Sequence, residues 1–168
     1  INIDPNNSDV MYVGAPAGGI WKSTDAGVTY VPLTDDLPQI GVSGIAIDQN
    51  NSDIIYIATG DDDAGDSYSV GVWKSINGGL SWTPTGLNPS NSPNRTSEIY
   101  INPNNSNMLW VATSSGIYKT INAGNNWTLS QSGNFRDLKV NPTNPNIIYA
   151  STSSQFYRSS DSGNTFTQ

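Results

Sequence analysis

The sequence contains no cysteine and no histidine, and only 12% of its 168 residues are charged. Without cysteine there is neither a disulfide framework nor a thiolate zinc site, and without histidine there is no imidazole base to activate a nucleophile. Cations are scarce as well, with seven Lys and Arg against fourteen Asp and Glu and a net charge of −7. That balance argues against nucleic acid, whose phosphates select Lys and Arg. No apolar run is long enough for a spanning helix, so membrane insertion is not expected. No stretch keeps a helical period. No basic-then-apolar leader opens the chain and Ile1 falls inside an ordered pattern, so a mature or excised piece is expected.

What is present is one unit repeated four times. Gly19-Ile-Trp-Lys-Ser23 returns as Gly71-Val-Trp-Lys-Ser75, Gly116-Ile-Tyr-Lys-Thr120 and, weakened, Gln155-Phe-Tyr-Arg-Ser159. Each copy runs into a turn: Asp25-Ala-Gly27, Asn77-Gly-Gly79, Asn122-Ala-Gly124 and Asp161-Ser-Gly163, closed by Tyr30, Trp82, Trp127 and Phe166. Upstream, Ile3-Asp4-Pro-Asn-Asn-Ser matches Ile47-Asp48-Gln-Asn-Asn-Ser, Ile101-Asn102-Pro-Asn-Asn-Ser and Val140-Asn141-Pro-Thr-Asn-Pro. The turn positions 25, 77, 122 and 161 are spaced by 52, 45 and 39 residues. A period of this length made of short strands and turns means propeller blades or a β-solenoid, and forty-odd residues per four strands is propeller arithmetic. The expected fold is therefore all-β, a propeller segment of four consecutive four-stranded blades over approximately 1–33, 41–85, 96–131 and 134–168, belonging to a larger ring. In unit two the strands, A to D from the axis outward, are expected near 41–48, 53–60, 69–75 and 80–85. Asn-rich clusters should make the A–B turns, because Asn tolerates left-handed backbone and bonds its neighbours.

The repeated turn, Ser/Thr-x-Asp/Asn-x-Gly-x-Thr/Ser/Asn-aromatic, has a local logic. The side chain at position three accepts hydrogen bonds from its own turn, and Gly at position five supplies a positive φ. Asp25 and Asp161 alternate with Asn77 and Asn122, which keep the acceptor oxygen and lose the charge, so the turn needs an acceptor rather than an acid. This pattern resembles the Asp-box, or bacterial neuraminidase repeat, found four times over the whole chain. The fuller consensus is similar to sortilin and xyloglucanase-like propellers, and to secreted Bacteroidota proteins with a type IX secretion sorting domain. The resemblance implies an extracellular or cell-surface bacterial protein exported by that system, with the secretion machinery and the remaining blades as partners.

Repetition permits a subtraction, since any residue fixed by the repeat is explained first by the blade. Twelve of sixteen aromatics are fixed in this way, as are Lys22, Lys74, Lys119 and Arg158. What remains is Asp35, Asp36, Asp61, Asp62, Asp63, Asp66, Glu98 and Asp137, with Arg95, Arg136 and Lys139. Six of those acids lie in two loops, Leu33–Pro38 and Gly60–Tyr68, expected on one propeller face. Asp35, Asp36, Asp62 and Tyr68 are the candidate ligand-binding residues, for a cell-surface glycan or protein. Asp61, Asp63 and Asp66 offer hard oxygen ligands of the kind calcium takes, although the spacing is not that of an EF-hand; the plainer alternative is a solvated acidic loop.

A non-catalytic recognition or display module is the leading functional expectation. The alternative is a subdomain of a xyloglucanase-like or sialidase-like glycoside hydrolase, which needs two carboxylates about 5–5.5 Å apart for retention or about 6.5–9.5 Å apart for inversion. The two acidic loops could supply such a pair but no apolar pocket to raise the pKa of a general acid. The sialidase form also clamps its substrate with three Arg, of which this chain has only Arg95, Arg136 and the blade-fixed Arg158. No catalytic residue is assigned.

Overall fold

The computed structural model describes residues 1–38, 41–61, 67–87 and 95–168. It has four antiparallel sheets in chain order and, among the described residues, no helix. Blade one comprises β1 (Asn2–Asp4), β2 (Asn7–Ala15), β3 (Gly19–Ser23) and β4 (Val31–Pro32). Blade two comprises β5 (Val42–Ile47), β6 (Ile55–Thr59), β7 (Val72–Ser75) and β8 (Thr83–Pro84). Blade three comprises β9 (Thr96–Asn102), β10 (Asn105–Thr113), β11 (Gly116–Thr120) and β12 (Thr128–Ser132). Blade four holds β13 (Asp137–Val140), β14 (Ile148–Ser151) and β15 (Phe156–Ser159). Its fourth strand is reduced to a single bridge between Arg158 and Thr167, so the expected four-stranded sheet has three full strands there.

Three hydrophobic clusters lie between consecutive blades. Tyr12 and Ile20 of blade one pack with Ile45, Ile55 and Ile57 of blade two. Tyr56, Ala58 and Val72 meet Ile99, Leu109 and Val111 of blade three, and Trp110, Ala112 and Ile117 meet Phe135, Leu138 and Ile148 of blade four. Burying both faces of a blade requires a neighbour on each side, which is why β6 is buried at all five positions. β2 and β14, in the terminal blades, are buried at only one and two positions. Innermost strands β1, β5, β9 and β13 contact one another in sequence, and among the described residues no comparable contact joins blade four back to blade one. Ile3 in blade one and Phe156 in blade four are large apolar residues left 53% and 59% exposed.

The A–B turns are held by side-chain bonds rather than by left-handed asparagines. Asp4, Asp48 and Asn102 each accept the backbone N–H two residues on, at 2.8–2.9 Å, and Asn141 accepts that of Thr143 at 3.0 Å. Among the described residues, the left-handed non-glycine residues are Ala26, Ala123 and Ser162, all at position four of the repeated turn. The expectation placed positive φ at position five alone; the turn uses two consecutive left-handed residues, such as Ser162 and Gly163 with φ of 60° and 72°. A Cβ on Gly163 would also lie 2.6 Å from the Trp110 indole nitrogen, so close packing and backbone conformation both demand glycine there.

Candidate functional site

The four repeated turns are built alike. Asp25 Oδ1 accepts the Ser23 hydroxyl at 2.8 Å and the backbone N–H groups of Val28 and Thr29 at 3.0 and 2.9 Å, while Oδ2 accepts the Thr29 hydroxyl at 2.6 Å. Asp161 repeats this set with Ser159, Asn164 and Thr165. Asn77 and Asn122 accept at Oδ1 from Ser75 and Ser81, and from Thr120 and Asn126. The Asp25 carboxyl is lowered to about 2, chiefly by the Thr29 hydroxyl and backbone bonds, and Asp161 is lowered further by the equivalent bonds from Thr165. These carboxylates are saturated acceptors, committed to their own turns.

The turns of blades two, three and four are also bonded by the preceding blade. The Gly78 carbonyl, at position four, accepts the Tyr12 hydroxyl at 3.3 Å and Lys22 Nζ at 3.1 Å. Tyr56 donates to the Ala123 carbonyl at 3.2 Å, and the Trp110 indole donates to the Ser162 carbonyl at 2.9 Å. Lys22 and Lys74 lie 5.3 Å over the rings of Tyr12 and Tyr56. Lys119 Nζ donates to Asn164 at 2.8 Å, and burial lowers its pKa despite the nearby Asp161 charge. Lys22 and Lys119 thus bond between blades, while Lys74 covers the Tyr56 ring of its own blade.

Of the candidate ligand residues, Asp35 is exposed, and Asp36 borders a peripheral groove with Leu37, Trp73 and Trp82. Tyr68 is 69% exposed. Asp62, Asp63 and Asp66 lie outside the described residues, so of the candidate calcium ligands only Asp61 is described; among the described residues no group of three acids is placed to hold a metal ion. Asp61 is buried, and its N–H donates to the Ser67 carbonyl at 2.9 Å. The neighbouring Gly60 N–H donates to the Gly41 carbonyl at 2.8 Å, fastening the acidic loop to the link that enters β5.

Asp61 does not share its surroundings with Asp36. It opens into a cleft of about 370 Å³ at the axial mouth, lined also by Pro16, Ser43, Ser97, Glu98 and Arg136. Hydroxyls tie the blades together here: Ser43 bonds Thr96 at 3.0 Å, Thr96 donates to the Thr59 carbonyl at 2.6 Å, and Ser97 donates to the Phe135 carbonyl at 3.0 Å. Along the axis, Lys139 Nζ lies 3.0 Å from Glu98 Oε2, 3.2 Å from Asp137 Oδ1 and 5.4 Å over the Tyr100 ring. Burial pushes the Glu98 carboxyl up, against the Lys139 bond and charge that pull it down, and the Asp137 charge adds to the rise. Lys139 also loses hydration, but it is the more exposed partner, and Tyr100 and Glu98 outweigh that loss and raise it.

Sequence reasoning singled out the dense acidic loops and passed over this axial set. The signal was available. Glu98, Arg136, Asp137 and Lys139 were all left after the repeat was subtracted, and they fall in or beside β9 and β13, the innermost strands. Their separation in sequence, not their identity, concealed the cluster.

No family model matches the chain. A xyloglucanase from Paenibacillus sp is 24% identical over 155 residues, covering 75% of this chain and 14% of that protein. A xyloglucanase from Hypocrea jecorina (strain QM6a) is 30% identical over 105 residues, 48% of this chain and 12% of that protein. Among solved structures, the GH74 enzyme of Niastella koreensis superposes with a TM-score of 0.77 at 23% identity, covering 99% of this chain and 28% of that one. YCF48 bound to D1 peptide superposes with a TM-score of 0.69 at 18% identity, covering 94% and 50%. The chain therefore has the β-propeller fold of these proteins and spans about a seventh of the Paenibacillus xyloglucanase and an eighth of the Hypocrea enzyme.

Proposed function

We propose that this chain is a carbohydrate-recognition segment of a secreted or cell-surface protein of xyloglucanase type, and that the axial cleft is its share of a polysaccharide-binding surface. The observation that supports this reading most is the mixed lining of that cleft: Asp61 and Glu98 as acceptors, Arg136 as a donor, and the hydroxyls of Ser43 and Ser97. A sugar presents hydroxyls that both donate and accept, so it is matched by carboxylates, guanidinium and hydroxyls in one concavity. Export by the type IX route, which the repeat's resemblance implies, belongs to the same proposal.

A non-catalytic role for the segment itself follows from the chemistry. A general acid must be free to give its proton to a substrate oxygen; burial raises the Glu98 carboxyl, but Lys139 Nζ at 3.0 Å occupies it in an ion pair. Asp35 and Asp36 are both exposed and do not line the cleft that holds Asp61 and Glu98.

One observation favours a hydrolytic alternative: Asp61 and Glu98 border one cleft, in a chain whose relatives are xyloglucanases. Calorimetric titration of the intact protein with xyloglucan oligosaccharides separates the readings. Recognition requires binding that Arg136→Ala weakens at least about tenfold in a variant that keeps the native circular dichroism; binding indifferent to Arg136 would defeat it. Release of reducing sugar that disappears in Asp61→Asn and Glu98→Gln would establish the hydrolytic reading instead.

A further inference from the structure

Three of the repeated turns carry a side chain at position four, as Ala26, Ala123 and Ser162, whereas blade two has Gly78 there. That choice makes Asn77-Gly78 the one Asn-Gly pair in the sequence. An asparagine followed by glycine is prone to deamidation, because no Cβ hinders the next backbone nitrogen from reaching the side-chain amide. In that reaction the Gly78 nitrogen bonds to Asn77 Cγ, and its proton leaves with the amide nitrogen as ammonia. Water then opens the cyclic succinimide to aspartate or to isoaspartate. Asn77 is exposed, so burial does not keep water from it. Its protection has to come from hydrogen bonding.

Both reacting groups are occupied in the folded turn. The attacking Gly78 N–H donates to the Asp53 carbonyl at 3.0 Å. Asn77 Oδ1 accepts the Ser75 hydroxyl and the Ser81 N–H, each at 2.9 Å, and Nδ2, the nitrogen that must leave, donates to the Ser81 hydroxyl at 2.9 Å. Blade one fixes the same peptide from the other side, with the Tyr12 hydroxyl 3.3 Å and Lys22 Nζ 3.1 Å from the Gly78 carbonyl. Ring closure must free the Gly78 nitrogen and turn the side chain out of its bonds, so it waits for the turn to open. The two products then differ in consequence. Aspartate restores the acceptor that Asp25 and Asp161 present in their own turns. Isoaspartate routes the main chain through the side-chain carbons, one methylene longer, and cannot seat the Gly78 N–H on Asp53 and its carbonyl on Tyr12 together.

We propose that Asn77-Gly78 is a latent self-modification site, held shut by the closed turn of blade two, converted when that turn opens, and left by its isoaspartyl product unable to reseat against blade one. The reaction needs nothing but water. Its rate measures how often the turn that joins blades one and two comes open.

The test is peptide mapping by mass spectrometry of the 168-residue chain kept in mildly alkaline buffer, folded and in urea, with isoaspartate read by protein isoaspartyl methyltransferase. Conversion at Asn77 is expected to be at least about tenfold slower in the folded chain than in urea, because only the opened turn reacts. Ser81→Ala, checked for native circular dichroism, should raise the folded-state rate on the order of fivefold, the worth of one hydrogen bond. Gly78→Ala should suppress the reaction in urea. It should also keep the fold, because Ala26 and Ala123 hold the same left-handed position and the added Cβ first meets the movable end of Lys22 at 3.1 Å. The purified isoaspartyl chain should melt several degrees below the parent, whereas Asn77→Asp should melt within about 2 °C of it. Conversion as fast in the folded chain as in urea overturns the proposal. So does a Ser81→Ala rate equal to the parent's, a Gly78→Ala chain that converts as fast in urea, or an isoaspartyl chain that melts with the parent.

Discussion

Replacing Tyr56 by Phe isolates the bond between blades from the packing around it. The ring is 1% exposed in the cluster between blades two and three, and Phe preserves that burial. What disappears is the hydroxyl bond to the Ala123 carbonyl at 3.2 Å. A buried hydrogen bond contributes about 1 kcal/mol net, and an acceptor left without a donor costs about 1 more, so a loss of about 1–2 kcal/mol is expected. For a domain of this size each kcal/mol lowers the melting temperature by about 2–4 °C, giving a fall of roughly 3–6 °C at neutral pH. Tyr149→Phe is the control. Its hydroxyl has no hydrogen bond among the described residues, and the change should be within about 0.5 kcal/mol. A second arm uses alkali. Burial, with the Asp48 charge adding to it, pushes the Tyr56 hydroxyl up to about 12. The unfolded phenol ionises near 10, so folding keeps a proton that the open chain releases. Stability therefore falls as pH rises from about 10 toward about 12 in the parent chain, and less steeply in Tyr56→Phe. Equal melting shifts for the Tyr56 and Tyr149 variants would refute the reasoning, because they would deny the interblade bond any special role.

Three further outcomes follow from the turns and the indoles. Asp161→Asn should melt within about 2 °C of the parent, since Asn77 and Asn122 hold the same turn, whereas Asp161→Ala should melt several degrees lower by calorimetry. Stability resting on the depressed Asp25 and Asp161 carboxyls is complete above about pH 4 and is lost as pH falls toward 2; a double Asn variant should show a flatter acid denaturation profile. Trp73→Phe should be nearly neutral because the buried indole nitrogen has no partner among the described residues, while Trp82→Phe should cost about 1 kcal/mol in urea unfolding because its indole donates to the Leu33 carbonyl at 3.1 Å.

The blades were legible because their determinants are local and repeated. Gly-Ile-Trp-Lys-Ser and the Asp/Asn-x-Gly turn recur at fixed positions, so the strands, turns and fixed aromatics could be placed from spacing alone. Tyr12, Tyr56 and Trp110, which the repeat assigned to blade packing, also bond the turn of the next blade. Other features resisted. Ala26, Ala123 and Ser162 look ordinary in sequence, and their left-handed backbone arises from the whole turn's bonding. The weakened fourth repeat hid the loss of a full D strand, since Thr167 still makes one bridge to Arg158. The axial cluster was the larger omission. Glu98 and Lys139 are 41 residues apart and meet only because β9 and β13 are neighbouring innermost strands. Asp35 and Asp36, conspicuous as a pair in sequence, turned out to stand away from the residues lining the axial cleft.

Backbone chemical-shift mapping of the intact protein during titration with the proposed oligosaccharide tests the recognition site most directly. The expected result is a saturable set of shifts confined to residues 41–44, 60–61, 96–98 and 134–137, which surround the cleft holding Asp61, Glu98 and Arg136. Shifts confined instead to residues 33–37 and 80–82, around the Trp73 and Trp82 groove, would contradict the assignment of the axial cleft, as would no saturable shift at all.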